Sequence, residues 1–358
     1  MLIIFSEYYI LLIYIYLFFF FWTLFYKVNF FNINLSFLFT ETIMSKNIFK
    51  KLSFDFYIRV NFLILMLIVL FIVLIRGFSD TLWWSNLRLS NFNLSLIFML
   101  VVINLVFLLL LTSLKFGNEV YKTDFFFSLI NLSCFLPFIF LTNNLLVFFF
   151  FLEVCSCILF YNFVNSSNFY KDNEKKISIK LFSKTNEFLS MLFFQYWTAF
   201  FSSILFVFSI INFLYYFNTT EWAVINYLFY FYNVNISNVY YTQFLLLFIS
   251  LNIAFLFKLG FSPIHFYKIE VYKGLSLISI LFYTTFFFLV FFFYFLLIIL
   301  LNLSSFFFYF SWVFYILFLF SILFLISLLF DVNYFKAFFA YSSVVNSISF
   351  FILLFSLI

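Results

Sequence analysis

The twenty residues FKLGFSPIHFYKIEVYKGLS, Phe257 to Ser276, hold the only histidine of the chain, one of its two prolines and two of its four glycines. Lys258, Lys268, Glu270 and Lys273 stand among them. The background is phenylalanine, leucine, isoleucine and tyrosine, and ionisable residues in such a background mark candidate functional sites. The chemistry on offer is proton transfer. Lysine and histidine bind and release protons, and a proline near a glycine opens a helix.

Three side chains matter most, two of them in this stretch. Glu153 sits near the middle of LLVFFFFLEVCSCILFYNFV, residues 145–164. An unpaired carboxylate at that depth costs several kcal/mol (roughly 2.5–3.5 on insertion scales). A carboxyl group there is either a step on a proton path or a protonated structural link between helices. Lys258 follows TQFLLLFISLNIAFLF and lies about 24 Å along a helix from Thr242. Snorkelling to a helix end is one reading. Against it, LGFSPIHFY continues the apolar run, so the lysine needs either a carboxylate partner or a neutral state, and Glu153 is the only central carboxylate available. Gly260 and Pro263 predict a broken helix just beyond Lys258. Interrupted helices expose backbone dipoles to ions and water. His265, with a reference pKa near 6.5, either relays protons between that break and the neighbouring loop or is simply hydrogen-bonded at the kink.

The elements that position these groups are membrane spans. Hydrophobic residues make up 67% of the 358 and charged residues 9%, with a mean hydropathy of +1.20; a soluble domain carries about 25% charged residues. A span needs about 20 apolar residues. Ten runs qualify, at 4–26, 60–79, 92–114, 123–142, 145–164, 188–217, 242–264, 275–301, 304–330 and 334–358. The expected fold is all-α, a polytopic membrane bundle of about ten spans with a broken helix around 258–266. The first run lacks a basic flank and a small-residue cleavage site and does not read as a signal peptide.

Of the eighteen basic residues, Arg76 and Arg88 fall in loops after even-numbered spans and Lys258 in a span; the rest, Lys336 among them, follow odd-numbered spans. The positive-inside rule therefore places the N-terminus outside. The loop NSSNFYKDNEKKISIKLFSKTNE, 165–187, reads as a solvated inside segment, as does the tract 46–59. No phosphate loop or nucleotide fingerprint is present, and no nucleic-acid partner is expected. Cys134, Cys155 and Cys157 lie in apolar runs and form no disulfide framework; the last two point about 200° apart on a helix, against a shared metal site. One histidine cannot supply haem or copper–haem ligands. The bias toward Phe, Ile, Asn, Lys and Tyr over Gly, Ala and Pro points to an AT-rich genome such as an organelle's.

KLGFSPIHFYKIEVYKG resembles the signature KLGxAPFHxWxPDVYxGAP of NADH dehydrogenase subunit 2, an antiporter-like membrane subunit of respiratory complex I. TNNLLVFFFFLEVCSCILFYNF (142–163) is similar to that family's span with a central glutamate, LGIELxSLPLYxL. SMLFFQYWTAFFSSILFVFSIINFLYYF (190–217) resembles KYFLLGALSSALLLFGxALLY, and DVNYFKAFFAYSSVVNSISF (331–350) resembles QTNLKRLLAYSSIxHMGY. The likeness covers about 115–358, so the chain divides into 1–114, a three-span bundle, and 115–358, an antiporter-like core. It implies a subunit of the proton-translocating NADH:ubiquinone oxidoreductase that conducts protons coupled to quinone reduction. The family's glutamate role falls on Glu153 and its first lysine role on Lys258. Lys336 matches the lysine of the KRLLAYSS-type motif, as a proton-transfer residue or a structural anchor. No cofactor is implied in this chain; FMN, iron–sulfur clusters and ubiquinone belong to other subunits. The implied location is the mitochondrial inner membrane, with the N-terminus on the intermembrane-space side. The implied partners are membrane lipids and other membrane-arm subunits, subunits 4 and 4L among them.

Two departures qualify the resemblance. The family's second lysine, about thirty residues after the first, would fall at Phe288, where only Tyr283, Thr284 and Thr285 stand nearby to hold water. The family's bacterial members have fourteen spans, and this sequence reaches Ile358 after ten, so a split subunit is expected, with a separate chain supplying spans 11–14. Two other readings stay open: a scaffold of complex I whose channel is lost, and a stand-alone cation/proton antiporter.

Overall fold

The structure is a computed structural model of the 358-residue chain. It describes residues 81–82, 86–113, 119–166, 178–233, 238–260, 265–275, 277–284, 303–329 and 335–356, with Leu65 and Ile68. The expected span at 4–26, all but two residues of that at 60–79, most of that at 275–301, and Pro263, Thr285 and Phe288 lie outside the described residues.

With no water in hydrocarbon to satisfy peptide groups, an apolar chain of this kind closes its hydrogen bonds within helices. The helices are α1 (Asn91–Ser113), α2 (Glu119–Leu141), α3 (Leu145–Ser166), α4 (Ser178–Phe217), α5 (Trp222–Asn233), α6 (Asn238–Leu259), α7 (Phe266–Gly274), α8 (Leu277–Phe282), α9 (Ser304–Leu329) and α10 (Phe335–Ser356). A two-residue hairpin, β1 (Thr81–Leu82) against β2 (Leu87–Arg88), precedes them. Helices of 22 residues, such as α3, α6 and α10, are about 33 Å long, enough to cross about 30 Å of hydrocarbon; α9 is kinked at Phe310 (φ −108°, ψ 15°). Among the described residues, the stretches Leu145–Val164, Asn186–Phe217 and Phe308–Ile326 are long and apolar enough to cross a membrane. The fold is an all-α membrane bundle.

Compact packing divides the chain into two units, one ending at Leu141 and the other running from Thr142 to Ile358. In the first, α1 packs on α2, and Ser90 caps α1 by accepting the Asn93 amide at 3.2 Å. The second holds the candidate site and is built around α4, which packs against α3, α6 and α7. Helix α7 lies between α4 and α10, and α10 also packs on α9. Asn144 starts α3 by accepting the Leu146 amide on its side chain at 3.2 Å. The core is aromatic: Phe206 of α4 meets Phe255 of α6 at 4.9 Å between ring centres, and Phe148 of α3 meets Phe255 at 5.8 Å. Leu189, Phe193, Ile211 and Tyr215 of α4 are exposed on the outside of the bundle, a surface suited to lipid rather than water.

The boundaries differ from the sequence expectation in two places. Helix α4 begins at Ser178, inside the stretch that reads as a solvated loop, because SIKLFSKTNE contains neither glycine nor proline to stop a helix. At 40 residues it extends about 60 Å. Helix α5 is absent from the expected spans; its 12 residues are too few for one. It is tied to the start of α3 by Leu145 N–H to Thr220 O at 2.9 Å and Trp222 N–H to Asn143 O at 3.2 Å. In the run 242–264 the expected break is present: α6 stops at Leu259 and the next helix, α7, begins at Phe266.

Candidate functional site

The break begins at Gly260, whose φ of +64° lies in the left-handed region that side chains with a Cβ avoid. Space there is also closed: a Cβ would sit 2.9 Å from the Tyr267 hydroxyl and 3.2 Å from Lys268 Cδ. The last carbonyls of α6 have no partner within the helix. Tyr267, on the first turn of α7, supplies one by donating its hydroxyl to Phe257 O at 2.6 Å, with Lys258 O at 3.3 Å.

Lys258 thus stands in the last turn of α6, where the helix dipole favours a cation. Its Nζ donates to Glu153 Oε1 of α3 at 2.8 Å. The pair joins residues 105 positions apart in sequence. The two ends are unequally buried: the Lys258 side chain is 3% exposed and that of Glu153 31%. Ser156, one turn further along α3, donates to the Glu153 carbonyl at 2.8 Å and to Oε2 at 3.2 Å. The carboxylate is therefore held by Lys258 on Oε1, with the Ser156 hydroxyl shared between the Glu153 carbonyl and Oε2, and is partly exposed, whereas the ammonium is buried.

His265 occupies the N-cap position of α7 without a capping bond from its side chain. It is fully buried, stacked on Phe266 at 4.8 Å, with the rings of Phe324 (α9) and Tyr341 (α10) at 6.1 and 6.2 Å. Lys336 lies in the first turn of α10 and donates to two carbonyls at the far end of α7, Lys273 O at 3.2 Å and Leu275 O at 2.7 Å. The structure therefore brings Glu153 and Lys258 together, and places His265 and Lys336 at opposite ends of the neighbouring helix α7.

Two residues of this site escape the sequence reading. Tyr267 reads there as one more aromatic. Lys268 counts as a loop cation, but its residue is only 1% exposed and its Nζ lies 6.0 Å above the Tyr272 ring. The spacing carries a signal: Lys268, Val271, Tyr272 and Leu275 fall at i, i+3, i+4 and i+7, the stripe a helix buries, and all four are buried. Lys273, off that stripe, instead pairs with Glu270 at 2.6 Å in a partly exposed position.

An interrupted helix that presents a buried lysine to a carboxylate on a neighbouring span defines the class: a polytopic membrane bundle with an ion pair at a helix break. No protein-family model matches the sequence. By fold the chain is similar to a chain of respiratory complex I from Thermus thermophilus, determined with bound aureothin; the TM-score is 0.56 and the identity 14%, over 84% of this chain and 62% of that one. At that identity the likeness is one of fold. The chain also resembles a protein described as uncharacterized mitochondrial protein ORF4 of Paramecium tetraurelia, with 37% identity over 83 residues, 22% of this chain and half of the relative. It thus spans less than two thirds of the length of either protein.

Proposed function

We propose that this chain is a membrane-arm subunit of respiratory complex I, of the subunit 2 kind, in the mitochondrial inner membrane, and that it moves protons through Glu153 and Lys258. The observation that carries the proposal is the 2.8 Å pair between Lys258 and Glu153 at the end of an interrupted helix, in a bundle whose fold resembles a complex I chain. The mitochondrial relative supports the location. A buried charge is tolerated when paired and costly when alone. A proton arriving at Glu153, the more exposed member, removes the counter-charge of Lys258. The ammonium left alone in a low-dielectric interior is then driven to pass its own proton on, and transfer of the Glu153 proton to the now neutral amine restores the pair. His265, buried beyond the break, is the proposed next relay. Electron transfer with FMN, iron–sulfur clusters and ubiquinone belongs to other subunits in this reading.

The proposed partners are subunits 4 and 4L of the membrane arm and membrane lipids. The test is native-gel separation of the source membranes, with mass spectrometry on the NADH-active band. Finding peptides of this chain there is the expected outcome. Finding it only in a small band without NADH activity overturns the proposal in favour of a stand-alone antiporter.

A further inference from the structure

Helix α7 is fastened at both ends, and the fastening explains a lysine that does not reach the ion pair. The last carbonyls of a helix lack partners within it and carry its partial negative charge. At the end of α7 two carbonyls, Lys273 O and Leu275 O, accept from Lys336 Nζ at 3.2 and 2.7 Å. Lys336 itself sits in the first turn of α10, the end of a helix where a cation is disfavoured. Its charge gains nothing from its own helix, and the geometry directs it to α7. The same end of α7 is pressed against α4 at Gly274: a Cβ there would lie 2.6 Å from Met191 Cβ and 2.9 Å from Glu187 O. At its other end α7 holds the last carbonyls of α6 through Tyr267, at the residue whose side chain meets Glu153.

We infer that Lys336 is a positioning residue, a permanently charged clamp on α7, which through Tyr267 fixes Lys258 against Glu153. Two carbonyl oxygens at the negative end of a helix are partners for a charged donor, so this lysine acts as a fixed cation and passes no proton on. The consequence for transport rests on the proposed function; the clamp itself does not.

Arginine separates the two roles. Its guanidinium offers five donors and stays charged in proteins, so it can serve as a clamp and cannot serve as a carrier. Lys336→Met and Lys336→Arg are made in the intact complex. Hydrogen exchange of the 268–275 amides and protons moved per electron are then measured. Loss of bonds from a charged donor is expected to speed local opening of α7 in Lys336→Met by about tenfold or more, with fewer protons moved, and Lys336→Arg is expected to restore both. Unchanged exchange in Lys336→Met overturns the clamp. Transport lost in Lys336→Arg while exchange stays normal makes the lysine a carrier and also overturns it. Should Lys336→Met fail to assemble, the arginine variant alone decides between clamp and carrier. Should the chain prove to belong to no NADH-active complex, the exchange comparison in the full-length chain still reads the clamp.

Discussion

Removing the charges of the central pair one at a time, and then together, tests the site most directly. Glu153→Gln leaves Lys258 charged with its side chain 3% exposed. Breaking a buried pair in this way costs about 3–5 kcal/mol, toward the lower end here because the glutamine oxygen can still accept from Nζ. Lys258→Met leaves the opposite charge on a side chain that is 31% exposed and hydrogen-bonded by Ser156. That carboxylate is less buried than the ammonium and keeps Ser156 within reach, so the cost is expected to be smaller, about 1–3 kcal/mol. The double variant strands no charge and, with methionine filling the lysine volume, is expected to lie within about 1 kcal/mol of the parent. The coupling between the two positions is then on the order of 3–6 kcal/mol. Thermal unfolding of the purified complex should rank the parent and double variant highest, Lys258→Met next and Glu153→Gln lowest. Proton translocation in reconstituted vesicles should be lost in all three, including the double variant that folds well. A double variant less stable than either single would refute the pairing energetics, and retained translocation would refute the role of the pair.

Two further substitutions examine the break itself. Gly260→Ala forces a Cβ into a φ of +64° and to 2.9 Å from the Tyr267 hydroxyl; the backbone alone costs about 1–2 kcal/mol, measurable as a lowered unfolding temperature together with faster exchange at the end of α6. Tyr267→Phe removes the 2.6 Å bond to Phe257 O and should cost about 1–3 kcal/mol. Because the missing hydroxyl also relieves the contact at Gly260, the two changes together should cost less than their sum, and strict additivity would argue against the contact.

Much of this site is legible in the sequence because its signals are local and rare. A carboxylate in the middle of LLVFFFFLEVCSCILFYNFV and a lysine followed by glycine and proline stand out against hydrocarbon on composition alone, and the pairing follows by elimination, since an isolated charge at that depth is so costly. Hydropathy also locates α1, α2, α3, α6, α9 and α10 to within a few residues at most ends. It fails where the distinction is not between apolar and polar. The residues Ser178–Glu187, just before the apolar run that opens at Phe188, are polar but free of helix breakers, and α4 runs straight through them. Helix α5 is amphipathic and short, too brief to register as a span and too apolar to read as a loop.

The contrast between Lys258 and Lys268 shows where the limit lies. Both lysines are buried, 6% and 1% exposed as residues, and they stand ten positions apart. The first stands out because a long run without a single charge precedes it. The second reads as part of a loop because Glu270 and Lys273 follow it closely and lower the local hydropathy. Those two neighbours are partly exposed and satisfy each other at 2.6 Å, so their charge says nothing about the face on which Lys268 lies. An average over a window cannot separate the two faces of a nine-residue helix; the i, i+3, i+4, i+7 spacing of Lys268 with Val271, Tyr272 and Leu275 can. In a membrane chain, a charge that shares the spacing of an apolar stripe belongs to the interior, whatever its immediate neighbours suggest.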